Sequence, residues 1–300
     1  MNHKAFPYRS IAVLGSNGQL GRSLVRAFGD ASVAFNRLEC DLLSSESIVK
    51  AIGSGDFDWV INAAAYTNVD GAESDPKTCH LINDIAVKHV AAACQESGSK
   101  LLHISSDYVF GAEQSRVTPY AETDTPGPLS VYATSKLLGE YAAKACDRHL
   151  IIRTCGLYSA STAEGVTKNF CNTILAAASK RRELSVVDDQ WCTPTYVPHL
   201  VSAIESLMRG DAAGIFHVTN QGQTNWYEFA SRLLHLAGSS VHVKAIDSSG
   251  YPLPARRPGY SVLAIAKFEE FTGASLPHWE DGLAEYVSQR SDLVSEEASH

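Results

Sequence analysis

Short apolar runs alternate with amphipathic segments along the first half of the chain. Residues 11–14 are all apolar and are closed by Gly15, a pattern typical of a buried parallel strand. Residues 18–28 then carry apolar side chains at helical spacing. Further strands are predicted at 33–35, 58–62, 100–105 and 150–153. This alternation predicts an α/β fold with a Rossmann-type, doubly wound parallel sheet.

Two longer helices are predicted between these strands. The first covers residues 76–94, and the second covers residues 130–145 and carries Tyr132 and Lys136. The predicted buried side of the first helix consists of Leu81, Ile82, Ile85, Val87 and Val90.

After about residue 155 the regular alternation ends. Short strands are predicted at 184–187, 193–196, 215–218 and 241–246, among helices at 168–180, 197–208, 225–237 and 278–289, with a loop at 251–259. We therefore expect three parts: an NAD(P)-binding domain (1–155), a smaller mixed substrate-binding subdomain that partly returns to the sheet (156–290), and a disordered acidic tail (291–300).

Composition narrows the class of protein. The 300 residues are 45% hydrophobic and 19% charged, which is ordinary for a globular protein, and a formal net charge of −8 without a Lys/Arg run argues against nucleic acid as the main partner. The 7 cysteines form no C-x-x-C pair, as expected for buried thiols in a reducing cytoplasm. No metal-binding motif, signal-peptide pattern or membrane-length apolar run is present in the sequence, so we expect a cytoplasmic protein without a structural metal.

The glycines of GSNGQLG, residues 15–21, follow the first predicted strand and open the first helix. Glycine lets the backbone approach a pyrophosphate, and the helix N-terminus offers free N–H groups and a positive dipole. An ordinary tight turn is the alternative, but the strand–loop–helix context favours a dinucleotide site. We predict cofactor contacts at Gly15, Asn17 and Gly18.

The end of the second predicted strand bears on the choice of cofactor. Asn36 and Arg37 stand where a carboxylate would bind the ribose 2′-hydroxyl of NAD, and Arg suits a 2′-phosphate instead. The sequence therefore favours NADPH, while Glu39 leaves NADH open. Asp41 and Leu42 follow a few residues later. Asp41 could flank the adenine of the cofactor, or it could be a solvated residue on the surface.

Tyr132, Lys136 and Ser106 form the candidate catalytic set. Residues four apart lie on one helix face, so Lys136 is expected beside the Tyr132 phenol, where its ammonium would lower a phenol pKa that is ordinarily about 10. Ser106 follows the fourth predicted strand and supplies a hydroxyl to a substrate carbonyl. Together with a dinucleotide loop, these residues predict a reductase that uses general acid catalysis.

Arg256-Arg257-Pro258 lies in the predicted loop far along the chain. Arg binds diphosphate oxygens in a bidentate fashion, which fits Arg257 to a nucleotide diphosphate. The alternative is that these arginines lie in a solvated loop and bind no ligand. The Arg-Arg dipeptide taken alone favours this alternative.

At this point the chain resembles the dTDP-4-dehydrorhamnose reductase family of the extended short-chain dehydrogenases/reductases. The matching stretches run in the expected order and are GSNGQLG (15–21), VINAAAYTNVDGAES (60–74), HISSDYVF (103–110), PYAETDTPGPLSVYATSKLLGE (119–140), NF (169–170), DDQWCTPT (188–195) and ARRPGYSVL (255–263).

The resemblance implies roles for individual residues. Ser106, which replaces a Thr usual in the family, would form a catalytic triad with Tyr132 and Lys136, and Lys136 would also hold the nicotinamide ribose. The implied cofactor contacts are Gly18, Gln19 and Leu20 at the phosphates, Asp41 and Leu42 at the adenosine, and Ala64, Ala65 and Tyr66 on the ribose side. The implied substrate contacts are Thr67, Val69, Ser106, Asp107 and Asn169.

One position departs from the family. Gly156 stands where the family typically has Trp, so we expect a substrate site that lacks a large apolar contact there, and this leaves the sugar open. The implied reaction is NADPH-dependent reduction of dTDP-4-dehydro-L-rhamnose to dTDP-L-rhamnose.

Two other functions remain open. One is reduction or epimerisation of a different dTDP- or GDP-sugar. The other is a non-catalytic, NADP-binding regulatory subunit, since the family includes a relative that partners a methionine adenosyltransferase. Family members can also pair through magnesium held by acidic residues; a homodimer and Mg²⁺ are thus open, with no ligands assigned.

Overall fold

The computed structural model of this chain describes residues 8–160 and 168–297. Its strands are β1 (Ile11–Leu14), β2 (Ser32–Phe35), β3 (Trp59–Asn62), β4 (Lys100–Ser106), β5 (His149–Thr154), β6 (Glu183–Val187), β7 (Trp191–Cys192), β8 (Gly214–His217), β9 (Thr224–Asn225) and β10 (His242–Ile246).

The helices connect these strands and cover the faces of the sheet. They are α1 (Gln19–Phe28), α2 (Ser45–Ile52), α3 (Val69–Ser74), α4 (Pro76–His80), α5 (Ala86–Ser97), α6 (Val131–Ala143), α7 (Phe170–Ala178), α8 (Val197–Arg209), α9 (Trp226–Leu236), α10 (Ala266–Thr272) and α11 (Trp279–Glu297). No helix in the described ranges has the length and apolar character needed to cross a membrane.

Six strands form one parallel sheet in the order β2-β1-β3-β4-β5-β8, with helices on both faces. The predicted doubly wound α/β class is confirmed. The direction of winding reverses between β1 and β3, which pair from Ile11 with Trp59 to Leu14 with Asn62. Ligands of such sheets bind at the carboxyl ends of the strands, beside this reversal.

The sheet draws on both halves of the chain. β8 pairs in parallel with β5, and α8 packs against α1 across one face of the sheet. On the other face α2 and α5 cover β1, β3 and β4. Residues beyond 155 therefore contribute both a strand and a covering helix to the sheet.

Outside the large sheet, two small pairings form a second structural region. β6 and β10 pair in parallel, and β7 and β9 pair antiparallel, around a core that includes Tyr158, Phe229 and Tyr286. The strand predicted at 193–196 is wrong, because β7 ends at Cys192. Pro194, in the predicted range, has no N–H to give to a ladder.

The helix predicted over 76–94 contains a π-helical turn, Leu81–Ile85, between α4 and α5. The extra residue in this turn changes which side chains face inward. Asn83 is buried, at 1% exposure, whereas Ile85 is 42% exposed. The prediction that Ile85 lies on the buried side is therefore wrong, because a regular 3.6-residue period does not run through this segment.

The C-terminal segment also differs from its prediction. α11 runs to Glu297, so residues 291–297, predicted as a disordered tail, are helical. After Gly282 this segment contains no Gly or Pro that would end a helix. Residues 298–300 lie outside the described residues.

Candidate active site

The loop between β1 and α1 is packed closely against the end of β3. Gly15 has a φ of +79°, and a Cβ built on it would lie 2.8 Å from atoms of Ala64. A Cβ on Gly21 would collide with the Gly15 carbonyl oxygen. The loop brings Gly18 to the N-terminus of α1, which no described side chain caps. The first N–H groups of α1 are thus free to bind an anion.

This loop forms one wall of a cleft of about 530 Å³ at the carboxyl edge of the sheet, which we call the first cleft. Ser106, Tyr132 and Lys136 lie on its wall. The loop of residues 15–21, which we call the phosphate-type loop, lies on the same wall. Other lining residues come from β4, from the end of β5 and from the segments that follow β3 and β5; the last group includes Ala64, Ala65, Thr67, Gly156 and Lys168. A cleft at the reversal of the sheet, with an uncapped helix N-terminus in its wall, fits a dinucleotide.

The side chain of Gln19 hydrogen-bonds the segment that follows β5 and thereby holds one wall of the first cleft in position. Its amide Nε2 donates to the Leu157 carbonyl at 3.0 Å, and its Oε1 accepts from Ser159 N and from Asn169 Nδ2. Asn169 also caps α7 by accepting from Asn172 N at 2.8 Å. Both amides therefore hold the segment after β5 against α1, and Gln19 itself lines the cleft.

Asn83 ties three elements together around α6. Its amide accepts from Tyr66 N at 2.8 Å and donates to Tyr66 O and to Ser135 Oγ, both at 3.0 Å. Ser135 lies on α6 between Tyr132 and Lys136. The π-helical turn thereby sets the position of α6 relative to the segment after β3.

A buried ion pair fixes α6 to β5. Arg153 donates from Nε to Glu140 Oε1 at 2.8 Å and from Nη2 to Oε2 at 2.7 Å, and both side chains are almost fully buried. Ser105 Oγ adds a 2.6 Å hydrogen bond to Glu140. Glu140 follows Lys136 by one helical turn, so this network holds the part of α6 that carries the candidate catalytic residues.

Ser106 and Tyr132 line the same wall of the first cleft. Ser106 is the last residue of β4, and its hydroxyl lies close enough to the Tyr132 phenol to lower the pKa of that phenol. Ser106 Oγ accepts from Tyr108 N at 3.2 Å, which holds it at the end of the strand. The Tyr108 ring packs edge-on against Tyr132, with ring centroids 6.1 Å apart. The structure thus brings two of the three predicted catalytic groups together.

Lys136 has a different partner from the one expected. Its Nζ donates to the Ile104 carbonyl at 2.7 Å, and burial lowers its pKa to about 8. Burial raises the pKa of the Tyr132 phenol. The expected lowering of that pKa by the Lys136 ammonium stays a prediction.

Asp107 lies beneath Ser106 rather than in either cleft. It is 2% exposed, accepts from Ser106 Oγ at 3.1 Å, and accepts from Ser261 Oγ at 2.6 Å. Burial raises its pKa to about 6. The substrate contact predicted for this side chain stays a prediction, and its carboxyl group hydrogen-bonds the candidate catalytic residue Ser106.

A second cleft of about 820 Å³ continues from the first. Thr67, Gly156 and Lys168 line both clefts and mark their junction. The lining residues of the second cleft include Val69, Asp70, Tyr108, Asn169, Phe170, Trp226, Tyr251, Leu253 and Arg257.

Arg257 is held in the second cleft by a carboxylate. Its Nη1 and Nη2 donate to Asp70 Oδ1 and Oδ2 at 3.1 and 2.8 Å. The bond from Arg257 holds the pKa of Asp70 below its usual value. The predicted anion-binding side chain is thus oriented in the cleft, and its charge is balanced by Asp70.

Six of the predicted site residues line neither cleft. Asp107 is one; the others are Asn17, Arg37, Asp41, Leu42 and Tyr66. The last residue of β2, Phe35, accepts a hydrogen bond from Gly15 N at 2.9 Å. Arg37 follows two residues later and is exposed, so Arg37 flanks the phosphate-type loop. The cofactor roles predicted for these five residues stay predictions.

The sequence reasoning missed Asn83, Tyr108 and Trp226. Asn83 was hidden by the assumption of a regular helix, which places it on the polar side. Trp226 begins α9 directly after its cap Asn225, where an aromatic residue is usually core. A signal did exist for Tyr108, since it lies two residues after Ser106 at the end of a parallel strand. Among the described residues no group of three or more acidic, His or Cys side chains could hold a metal ion.

Comparison with known proteins gives consistent matches. The model of the family described as RmlD substrate binding domain matches residues 9–291. The dTDP-4-dehydrorhamnose reductase of Escherichia coli K12 is 34% identical over 298 residues, covering 93% of this chain and 97% of the relative. The dTDP-4-dehydrorhamnose reductase of Burkholderia thailandensis is 37% identical over 289 residues, covering 90% and 95%.

Solved structures agree with these matches. The dTDP-4-dehydrorhamnose reductase of Bacillus anthracis, solved in complex with NADP, superposes with a TM-score of 0.88 at 31% identity, covering 94% of this chain and 99% of that one. An orthologue from Clostridium acetobutylicum gives 0.88 at 32% identity, with the same coverage. The similarity therefore extends over both clefts.

Proposed function

Because the chain belongs to the RmlD substrate binding domain family, we propose that it is an NADPH-dependent reductase of a nucleotide-linked 4-keto-6-deoxysugar. The substrate is dTDP-4-dehydro-L-rhamnose and the product dTDP-L-rhamnose, in keeping with the relatives' activity. The observation that carries the proposal is that Ser106, Tyr132 and Lys136 line a cleft that also contains the uncapped end of α1.

Tyr132 is placed to give its proton to the carbonyl oxygen of the substrate. Burial raises the pKa of its phenol, so the phenol is protonated at neutral pH. This is the form that a reduction requires, since the oxygen of the product must gain a proton. NADPH, when bound, supplies the hydride that the carbonyl carbon takes up.

Ser106 and Lys136 support this proton transfer. The Ser106 hydroxyl and the Tyr132 phenol line the same cleft, so both groups can contact one substrate oxygen and polarise the carbonyl. Lys136 is fixed on the Ile104 carbonyl and carries its ammonium to the wall of the first cleft, where it holds the ribose next to the nicotinamide.

Arg257 accounts for the diphosphate of the substrate. Its guanidinium forms a bidentate pair with Asp70 in the second cleft. Once Asp70 releases the guanidinium, the same pair of donors matches two diphosphate oxygens. The nucleotide part of the substrate therefore lies in the second cleft, and the sugar reaches the junction with the first.

Oxidation of NADPH by the pure protein, with dTDP-4-dehydrorhamnose generated in situ, tests this function. Tyr132→Phe keeps the ring and deletes the proton donor, so turnover falls at least ~100-fold. Tyr141→Phe is the matched control, because Tyr141 is on the same helix and 53% exposed. Near-native turnover by Tyr132→Phe contradicts the proton donor. NADPH binding without turnover on any keto-sugar contradicts the reductase and favours the regulatory alternative.

The proposed location is the cytoplasm, where a reducing environment keeps thiols unpaired. All seven cysteines are free and buried, which supports this location. Pairing of two copies is retained as a proposal, and light scattering of the pure protein with and without Mg²⁺ would test it.

A further inference from the structure

Trp226 lies directly over Gly156 at the edge of the second cleft. A Cβ built on Gly156 would be 3.0 Å from Cη2 of the indole and 3.3 Å from Cα of Pro194. Gly156 has a φ of +50°, which other residues rarely adopt. The backbone at Gly156 therefore passes beneath the indole without room for a side chain between them, and the sequence-based expectation of a missing apolar wall here is wrong.

Neighbouring aromatic residues hold the indole in place. Phe170 packs on Trp226 with ring centroids 4.5 Å apart, and Phe229 packs edge-on at 6.2 Å. Phe229 is fully buried, whereas Trp226 and Phe170 are half-buried and line the second cleft. These two rings thus present a firmly supported apolar surface to the cleft.

The position of this surface indicates which part of a ligand it meets. Gly156 lines both clefts, and Ser106 and Tyr132 line the first. Arg257 lies in the second cleft, on the side where the diphosphate is assigned. A carbonyl at Tyr132 and a diphosphate at Arg257 leave the ring that joins them at the junction, beside Gly156 and Trp226.

We propose that Trp226, supported by Phe170, is the residue that recognises the sugar ring and selects 6-deoxysugars; this rests on the proposed function. The C–H groups and the methyl group of a 6-deoxysugar pack favourably on an aromatic face. A 6-hydroxyl would lose its water there without gaining a hydrogen-bond partner from the Phe170 ring or from the face of the indole. Because Gly156 has no side chain, the Trp226 indole can pack against its backbone at the junction of the two clefts.

Calorimetry on the intact protein with NADP⁺ bound measures the affinity for two ligands and so distinguishes contacts to the sugar from contacts to the nucleotide. The ligands are dTDP, which has no sugar, and dTDP-L-rhamnose. Trp226→Ala is expected to weaken dTDP-L-rhamnose binding about tenfold or more, while dTDP and NADP⁺ bind within about twofold of wild type. Trp226→Phe restores most of the loss, and Tyr141→Ala, an exposed aromatic truncation, leaves all three unchanged.

Gly156→Ala provides an independent variant. Its new Cβ displaces the indole, so it weakens dTDP-L-rhamnose binding in the wild-type background. In the Trp226→Ala background it adds little, because the group that it displaces is gone. The backbone strain at φ +50° is present in both backgrounds and cancels in the double-mutant cycle.

Several outcomes overturn the inference. Equal weakening of dTDP and dTDP-L-rhamnose by Trp226→Ala would place the indole against the nucleotide. Unchanged binding of both ligands would remove Trp226 from recognition altogether, while leaving the reductase proposal intact. If wild type binds neither ligand and oxidises no NADPH, the proposed function itself fails, and the inference fails with it.

Discussion

Tyr132 and Lys136 lie four residues apart on α6, yet their polar groups lie against different residues of β4. The phenol lies beside Ser106 at the end of β4, and the ammonium donates to the Ile104 carbonyl within the same strand. Helical spacing fixes which face two residues share. The neighbours that a third element brings to that face decide their hydrogen bonds and their pKa values.

Arg37 is predicted to set the preference for NADPH. It is exposed beyond β2, and a charge-assisted hydrogen bond to a 2′-phosphate contributes about 1.5–3 kcal/mol. Arg37→Ala should raise the KM for NADPH roughly 10- to 100-fold and leave the KM for NADH within about twofold. Arg182→Ala, another exposed arginine, is the control. A wild-type KM that is lower for NADH than for NADPH would overturn this prediction.

Asp107 gives the stability a specific pH dependence. Burial raises its pKa to about 6, so the folded chain holds this proton more tightly than the unfolded chain does. The free energy of unfolding contributed by this group therefore falls as the pH rises from about 4 to about 6. Asp107→Asn removes that loss, so its stability relative to wild type should increase by about 2 kcal/mol between pH 4 and pH 7.

Urea unfolding of both proteins at the two pH values measures this difference. Asp56→Asn, at an exposed position, serves as the control and should show no such change. A stability difference between Asp107→Asn and wild type that is the same at pH 4 and pH 7 would contradict the assignment.

At the scale of elements, α6 depends on the Glu140–Arg153 pair. Glu140→Ala leaves the Arg153 guanidinium buried without its carboxylate, which should lower the free energy of unfolding by about 3–5 kcal/mol. The exposed pair Glu205–Arg209 on α8 is the matched control, where Glu205→Ala should cost about 0.5 kcal/mol or less. Thermal or urea unfolding compares the two variants, and losses of similar size would refute the argument.

The sequence predicted elements well where one local rule governs them. β1 and α1 follow from an apolar run, a glycine loop and a helical stripe, and their bounds differ little from the prediction. Asn83 and Trp226 were missed because their roles depend on contacts with residues far along the chain, at Ser135 and Gly156. Such contacts leave no local periodicity, so no pattern within the segment indicates them.

At the scale of the whole molecule, the position of β8 predicts that residues 1–155 do not fold independently of the rest of the chain. Cutting after residue 155 removes β8 from the edge of β5 and removes α8 from α1. The apolar side chains of α8 that would be lost from the core include Leu200, Ile204 and Leu207. We expect the fragment 1–155 to lack a cooperative thermal transition, although it contains the complete phosphate-type loop.

Circular dichroism of this fragment and of the full chain makes that comparison. A cooperative transition in the fragment would show that the NAD(P)-binding part is an independent folding unit, contrary to this expectation. Binding of NADP⁺ by the fragment would lead to the same conclusion.

The π-helical turn between α4 and α5 makes this stretch of chain sensitive to its length rather than to its composition. Asn83 faces α6, while Val87, Val90 and Cys94 face the sheet on the following turns. Deletion of one residue within Leu81–Ile85 would leave an uninterrupted α-helix but rotate everything after it by about 100°. The apolar side of α5 would then turn away from β1 and β3. Single-residue insertions and deletions here should therefore be tolerated less well than most substitutions.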